Sequence, residues 1–174
     1  MKNSIKKFGA AAVACLVVAG VAFASVTFDP DTGTGFVGKG DVQTAFGLNN
    51  PQIQAILNAD PQAFTFSYNA TDEYSAVCTW TTGPDHNQKV HNVSHTTNTE
   101  VVGALNGLPR PGPSQFTGFN LTGFGTPSDS GAVPVVGDPC PSNEGHGGTW
   151  SSVELTSSSG GLYVTYNGVS VLLQ

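Results

Sequence analysis

Four carboxylates in the strand-rich part of the sequence could serve hydrolytic chemistry: Asp72, Glu73, Glu100 and Glu154. Glycoside hydrolases use two such groups, one as acid and one as base or nucleophile, held about 5 to 10 Å apart across a cleft. Asp72 is the first candidate because it interrupts an otherwise apolar strand face. Positions along a chain do not show which acids meet in space. The sequence therefore names no catalytic residue, and a small extracellular hydrolase is one of three function hypotheses.

Two histidines, His91 and His95, are four residues apart. In a helix this spacing places both side chains on one face, but in a strand it separates their Cα atoms by about 13 Å. A metal ion bound about 2 Å from each nitrogen cannot bridge that distance. We therefore predict no metal site, and no sequence motif indicates a cofactor.

Three aromatic residues, Trp150, Tyr163 and Phe119, are the candidates for a ligand-facing strip. Binding sites are lined by aromatic side chains with a few polar groups placed beside them. Each of the three rings could instead belong to the hydrophobic core. A carbohydrate-binding module, with extracellular polysaccharide as its partner, is therefore an alternative hypothesis.

Two cysteines, Cys78 and Cys140, follow the N-terminal segment that contains Cys15. In an exported chain two cysteines of this kind are expected to form one disulfide. The loop that it closes would contribute about 4 kcal/mol of stability in the chain-entropy model. The predicted bridge also ties the two halves of the sequence together.

The start of the chain has the pattern of a secretory signal peptide. A basic start, an uncharged apolar run and a small-x-small cleavage site follow one another: Lys2, Lys6 and Lys7, then residues 8–21, then Ala22-Phe23-Ala24. The run is shorter than the roughly 20 residues that span a membrane. A lipoprotein signal ending at Cys15 fits less well, because the residues after it remain apolar.

We expect a signal peptide over residues 1–24 and a single domain over residues 25–174, exported to the extracellular space or to a periplasm. Removal of the leader leaves three basic residues against all twelve acidic ones, a net charge of −9. So few cations cannot neutralise many phosphates. The composition therefore excludes nucleic acid and anionic membranes as expected partners.

The stretch over residues 64–80 must position several of these side chains. Apolar and aromatic residues alternate with polar ones along it, which is the pattern of a strand with one buried and one solvated face. Asp72 is the only charge on the apolar face. Since the run exceeds the usual strand length, we expect a bend or break near residues 69–73.

Two hairpins are predicted. Residues 89–105 resume the strand pattern and should return along the first strand. Near the end, Asn167-Gly168 separates two apolar strands and predicts a type I′ turn that pairs Tyr166 with Val169 and Val164 with Val171.

The other elements follow from local signals. Asp41 and Gly47 bound one short helix, and Asn50-Pro51 starts a second with an apolar stripe at Ile53, Ile56 and Leu57. Further along we expect a strand over residues 133–136, a loop over 137–148, a strand over 150–156 and a turn over 157–161.

Two strings resemble those of a family of small exported bacterial proteins. They are Gly38-Lys39-Gly40-Asp41-Val42-Gln43, followed by Phe46-Gly47 and Asn49-Asn50, and the later Thr117-Gly118-Phe119-Asn120-Leu121-Thr122-Gly123. The likeness covers most of the chain after the leader. It implies export and one intact domain, and it implies no particular activity.

The short strands, the hairpins and the scarcity of helix predict an all-β fold, an antiparallel β-sandwich of immunoglobulin-like or jelly-roll type with one or two short N-terminal helices. The first function hypothesis is a secreted, disulfide-stapled structural, matrix or surface-interaction protein whose partner is itself. The carbohydrate-binding module and the hydrolase are the alternatives.

Overall fold

The computed structural model describes residues 25–80, 88–109, 115–143 and 146–174. The strands are β1 Thr27–Asp29, β2 Thr34–Gly38, β3 Thr65–Trp80, β4 Gln88–Asn106, β5 Gly118–Ser130, β6 Pro139–Asn143, β7 His146–Tyr166 and β8 Val169–Leu172, and the helices are α1 Lys39–Phe46 and α2 Asn50–Ala59. The predicted signal peptide lies outside the described residues.

The eight strands form one antiparallel sheet in the order β1-β2-β5-β4-β3-β7-β6, and β8 also pairs with β7. The sheet curls into a half-barrel. The predicted antiparallel all-β class and the two N-terminal helices are confirmed. The two packed layers of a sandwich are not confirmed, because the described strands all belong to one sheet.

The long hairpin of β3 and β4 is confirmed, with pairing from Phe66 and Val101 to Thr79 and Gln88. Of the predicted bend or break near residues 69–73, the break is absent, since β3 is continuous. The irregularities lie in β7 instead, where two register shifts leave Ser151 and Thr156 without partners on β3.

Hydroxyl groups compensate for these two bulges. Thr156 Oγ1 donates to the carbonyl oxygen of Glu73 at 2.9 Å, and Ser151 Oγ donates to that of Val77 at 3.0 Å. A bulge disrupts the ladder locally, and the side chain of the extra residue supplies a hydrogen bond there. The long strand therefore remains continuous while its neighbour β7 accommodates the two extra residues.

Three local predictions in the second half of the chain are wrong. Residues 157–161 continue β7 and pair with residues 69–73 of β3 instead of turning. Residues 133–136 lie outside the sheet, and the predicted loop over 137–148 contains β6 and the start of β7. Pairing with the long β3 outweighs the local turn preference of serine and glycine.

Two separate hydrophobic clusters hold the sheet. The helix-end cluster contains these buried residues: Val37, Val42, Ile53, Leu57, Phe64, Phe66, Val101, Phe116, Phe119, Leu121, Leu162, Val164, Val171 and Leu173. The disulfide cluster, near the other end of β3, contains Ala76, Cys78, Trp80, Cys140 and Trp150. Between the clusters, residues 67–75 of β3 are half-buried on both faces.

The local signals for the ends of elements are confirmed in part. Gly47 ends α1 with φ of 64°, but the predicted N-cap Asp41 is wrong, because α1 begins at Lys39 after the N-cap Gly38 and Asp41 lies in its first turn. The N-cap of α2 is Asn49, one residue before the predicted position, and it forms a capping box with Gln52. Ile53 and Leu57 are buried as the stripe predicts. The pairing of Tyr166 with Val169 is present, and Asn167 and Gly168 have φ of 50° and 75°, as a type I′ turn requires.

Candidate functional site

The four candidate acids do not form one site. Asp72 lies on the same face of β3 as Phe66 and Cys78, the inner face, whereas the other three lie on the opposite, outer face because of strand alternation. Glu154 pairs with Ser75 and is therefore diagonal to Glu73, at about 7 to 8 Å between Cα atoms.

Glu100 is remote from this diagonal pair. It pairs with Ser67, six residues along β3 from Glu73, which corresponds to about 20 Å. Glu154 is exposed on an edge strand. The two neighbouring acids therefore face solvent on an open sheet.

Asp72 is hydrogen-bonded across the inner face. Ser158 Oγ donates to Asp72 Oδ1 at 2.6 Å, and His95 pairs with Asp72 from the other side. In a hydrolytic triad the histidine lies between serine and acid and takes the serine proton. Here the serine hydroxyl donates directly to the carboxylate. The cross-strand row of Ser158, Asp72 and His95 therefore joins β7, β3 and β4, and it does not activate a nucleophile.

The two histidines stay separate. His91 packs edge-on against Trp150, with ring centroids 5.4 Å apart, and His95 lies four residues further along β4. Within the described ranges, no three His, Cys, Asp or Glu side chains lie close enough to hold a metal ion.

The carboxylate of Asp29 accepts hydrogen bonds from residues of the β1–β2 turn. Thr32 Oγ1 donates to Asp29 Oδ2 at 2.8 Å, and the Asp31 N–H donates to Asp29 Oδ1 at 2.9 Å. The hydroxyl of Thr32, followed by the Asp31 amide, lowers the pKa of Asp29 below its ordinary value. Both carboxylate oxygens are thus occupied by neighbouring residues of the same turn.

The predicted disulfide between Cys78 and Cys140 is confirmed, with the two Cα atoms 5.9 Å apart. It joins β3 to β6 across β7, which lies between these strands. Gly148 of β7 lies under the bridge: a Cβ there would be 3.0 Å from both sulfur atoms. Sequence reasoning missed this role, because Gly148 was predicted to end a loop, whereas a glycine within a strand often marks a close approach of another group.

The three candidate aromatics are not brought together. Phe119 is 1% exposed in the helix-end cluster, and Trp150 is 8% exposed in the disulfide cluster. Tyr163 is half-buried and pairs with Ser67, which places it on the outer face. Of the three, Tyr163 alone borders a polar groove.

That groove, the Asn69 groove, has a volume of about 240 Å³ and an uncharged lining: Asn69, Thr71, Thr96, Ser159, Gly160, Gly161, Tyr163 and Leu172. The hydroxyls of Thr71 and Thr96 are 3.2 Å apart. Asn69 Oδ1 is buried and has no hydrogen-bond partner among the described residues. A buried acceptor without a partner is costly, so a rotation of the Asn69 side chain that brings this oxygen to a ligand hydroxyl in the groove would be favourable.

A second polar groove of about 390 Å³ lies on the same strands. Its lining is Thr65, Phe66, Ser67, Asn98, Glu100, Thr126, Ser128, Thr165 and Ser170. Glu100 is its one charged residue. The two grooves present hydroxyl and amide groups from β3, β4 and β7 along one face, and β5 and β8 add hydroxyl groups to the second groove.

Several strand stretches of the described sheet pair on one side only, among them residues 88–95 of β4 and residues 122–130 of β5. A further such stretch lies on β7. Residues 151–161 of β7 pair with β3 on one side. On the other side β6 pairs up to Thr149 and β8 from Tyr163, and Trp150 and Leu162 bond Asp138 and Gln174. In the described part of the chain nothing pairs with this side of residues 151–161, which we term the open edge.

Comparison of the chain with protein-family models, with curated proteins and with solved structures found no match. No helix within the described ranges is long and apolar enough to cross a membrane. The fold and the site geometry therefore define the class: an antiparallel all-β protein, stapled by a disulfide, with an open strand edge.

Proposed function

We propose that the chain is an exported structural or surface-interaction subunit that associates with further copies of itself through the open edge. The observation that supports this proposal is the unpaired side of residues 151–161. Such an edge offers backbone N–H and C=O groups to a strand of another chain. A strand added at this edge would extend the curled sheet. The extended sheet would then be closer to the two packed layers of the sandwich that the strand pattern predicts.

The open edge is short and bounded. Trp150 and Leu162 direct their backbone N–H and C=O away from β3 at its two ends, and strand alternation gives Val153, Leu155 and Ser158 the same orientation. Because β6 and β8 close its ends, the edge admits a short strand flanked by loops. A second β7, which is 21 residues long, would collide with them.

Residues 132–136 of a second copy are the candidate partner segment, with backbone N–H groups from its other residues, since the buried Pro134 cannot donate to a strand ladder. This segment is connected by loops to β5 and β6 and carries valines whose exposures are 41% at Val133, 54% at Val135 and 59% at Val136. The open edge itself has Leu155, 54% exposed, and its one charge is Glu154. Apolar surface on both partners favours association in water.

The test is the solution mass of residues 25–174, measured by light scattering over a concentration series without reductant. The mass should rise with concentration. Two lysine variants are compared: Ser157→Lys on the open edge, and Asn98→Lys on β4, where Asn98 is exposed and pairs with Asn69 of β3 on one side and Ser128 of β5 on the other. Edge lysines oppose strand addition, so we expect Ser157→Lys to weaken association at least about 10-fold and Asn98→Lys to leave it unchanged. A constant monomer mass for the unsubstituted chain would overturn the proposal.

A second candidate function is binding of a neutral polysaccharide at the Asn69 groove. Its support is the buried Asn69 Oδ1 without a partner, beside Tyr163 in an uncharged lining. Sugar hydroxyls can donate to this oxygen while a pyranose face packs on the ring. The adjoining second groove would extend the contact along a chain.

Immobilised neutral polysaccharides provide the assay. Asn69→Ala should weaken binding by about 10-fold or more, since a site built for a hydrogen bond loses it. Asn92→Ala is the matched control, because Asn92 is exposed on the same face and lines neither groove. Equal binding by both variants, or no retention of the unsubstituted protein, would eliminate this candidate.

A further inference from the structure

Asp41 is buried, at 5% exposure, in the first turn of α1. An ionised carboxylate removed from water is costly unless it is paired and hydrogen-bonded. Within the described chain the side chain that bonds Asp41 is that of Ser25, whose Oγ donates to Oδ2 at 2.7 Å. The interaction joins the first described residue to the first helix.

Gly38 leaves the space for this contact. A Cβ at Gly38 would overlap Ser25 Oγ and lie 2.8 Å from Asp41 Oδ2. At the junction of β2 and α1, position 38 thus accommodates glycine and no larger residue, because a side chain there would overlap the Ser25–Asp41 pair. Ser25 is also the first residue after the predicted cleavage site at Ala22-Phe23-Ala24.

Covalent geometry places the Ser25 nitrogen close to the carboxylate. The nitrogen and Oγ of one serine are at most about 3.7 Å apart, so the nitrogen lies within roughly 6.5 Å of Oδ2. In the precursor this nitrogen is a neutral amide. Hydrolysis of the bond between Ala24 and Ser25 by a signal peptidase adds water, leaves a carboxylate on Ala24 and an amine on Ser25, and the amine is protonated at neutral pH.

We propose that Asp41 is the binding site for the N-terminal ammonium group that leader cleavage creates. Cleavage then adds a cation beside a buried anion, and the folded state gains stability that the precursor lacks. Of the other charged groups on the elements packed against α1, Lys39 is on α1 itself, β2 carries none, and β5 carries only Asp129, at the opposite end of that strand from the residues that pair with β2. Ser25 is exposed, so the peptidase can reach the site and water screens part of the attraction.

Four chains test the proposal: one starting at Ser25, one starting a residue earlier at Ala24, and the Asp41→Asn variant of each. At pH 6 the Ser25 chain should melt about 2 to 4 °C above the Ala24 chain, as expected for a modest ion pair in a domain of this size. The Asp41→Asn pair should show no such difference. Equal melting of the unsubstituted pair, or an equal difference in the Asp41→Asn pair, would overturn the proposal.

The pH dependence gives an independent readout that needs no substitution at Asp41. A carboxylate partner raises the pKa of the amine in the folded state, so its stabilisation is present below the unfolded value of about 8 and is lost as pH rises through the folded value. The melting difference between the Ser25 and Ala24 chains should disappear by about pH 10. NMR titration of the Ser25 amine should give a pKa above 8, and a value at or below that of an unfolded chain refutes the pairing.

Discussion

Breaking the Cys78–Cys140 bridge should release one end of the sheet before the other. The disulfide cluster has only five buried residues and is separated from the helix-end cluster by the half-buried middle of β3. The bridge spans 62 residues of sequence, and the chain-entropy model gives about 4 kcal/mol for such a loop. With a urea m-value of about 2 kcal/mol/M, the midpoint should fall by about 2 M.

Both tryptophans, Trp80 and Trp150, lie in the disulfide cluster, so tryptophan fluorescence reports on that end alone. Far-ultraviolet circular dichroism reports on the whole sheet. In urea titrations of the reduced protein, the midpoint of the fluorescence transition should fall by this full amount. It should then lie at a lower urea concentration than the midpoint of the dichroism transition. The Cys78→Ala/Cys140→Ala variant, studied without reductant, should behave in the same way.

Coincident transitions that shift together would refute this reasoning. They would mean that the polar middle of β3 couples the two clusters into one cooperative unit. An unchanged fluorescence midpoint would show instead that the bridge adds no stability to its own cluster.

Three further predictions concern single positions. Gly148→Ala should lower the melting temperature and slow formation of the bridge in an oxidation assay, since its Cβ would lie 3.0 Å from both sulfurs; unchanged oxidation kinetics would contradict this. Thr32→Ala should raise the pKa of Asp29 in an NMR titration. Because that pKa is lowered in the folded protein, the stability that Asp29 adds is present above the ordinary aspartate pKa and is lost as pH falls through the folded value. Gly168→Val should cost about 1 kcal/mol or more in urea unfolding, because φ is 75° there; an equal midpoint would refute the turn assignment.

Local alternation predicted much of the fold. It assigned the faces of β3, the return of β4 and the C-terminal pairs, because these depend on neighbouring residues and one short turn. Residues 157–161 were misassigned since their preference for a turn is local, whereas their pairing with residues 69–73 is not. The pairing of β7 with β3 joins segments that are far apart in the sequence, and no local pattern predicts it.

The candidate site was predictable only in part. The number of cysteines alone predicted the disulfide. The contact of Gly148 with the disulfide could not be predicted, because it depends on the strand order. Sequence could not separate Tyr163 on the outer face from the buried Phe119 and Trp150, because all three are aromatic residues in strands. Their exposure depends on the pairing register, which decides the face of the sheet on which each side chain lies.

The two clusters also constrain how the length of this protein can change. Both ends of β3 are anchored in buried clusters while its middle is half-buried, so an insertion confined to one strand would misalign one of the clusters. Insertions or deletions of two residues, made together in β3, β4 and β7, would preserve every inward-facing side chain. The distance between the helices and the disulfide could therefore be lengthened or shortened in steps of about 7 Å with both clusters intact.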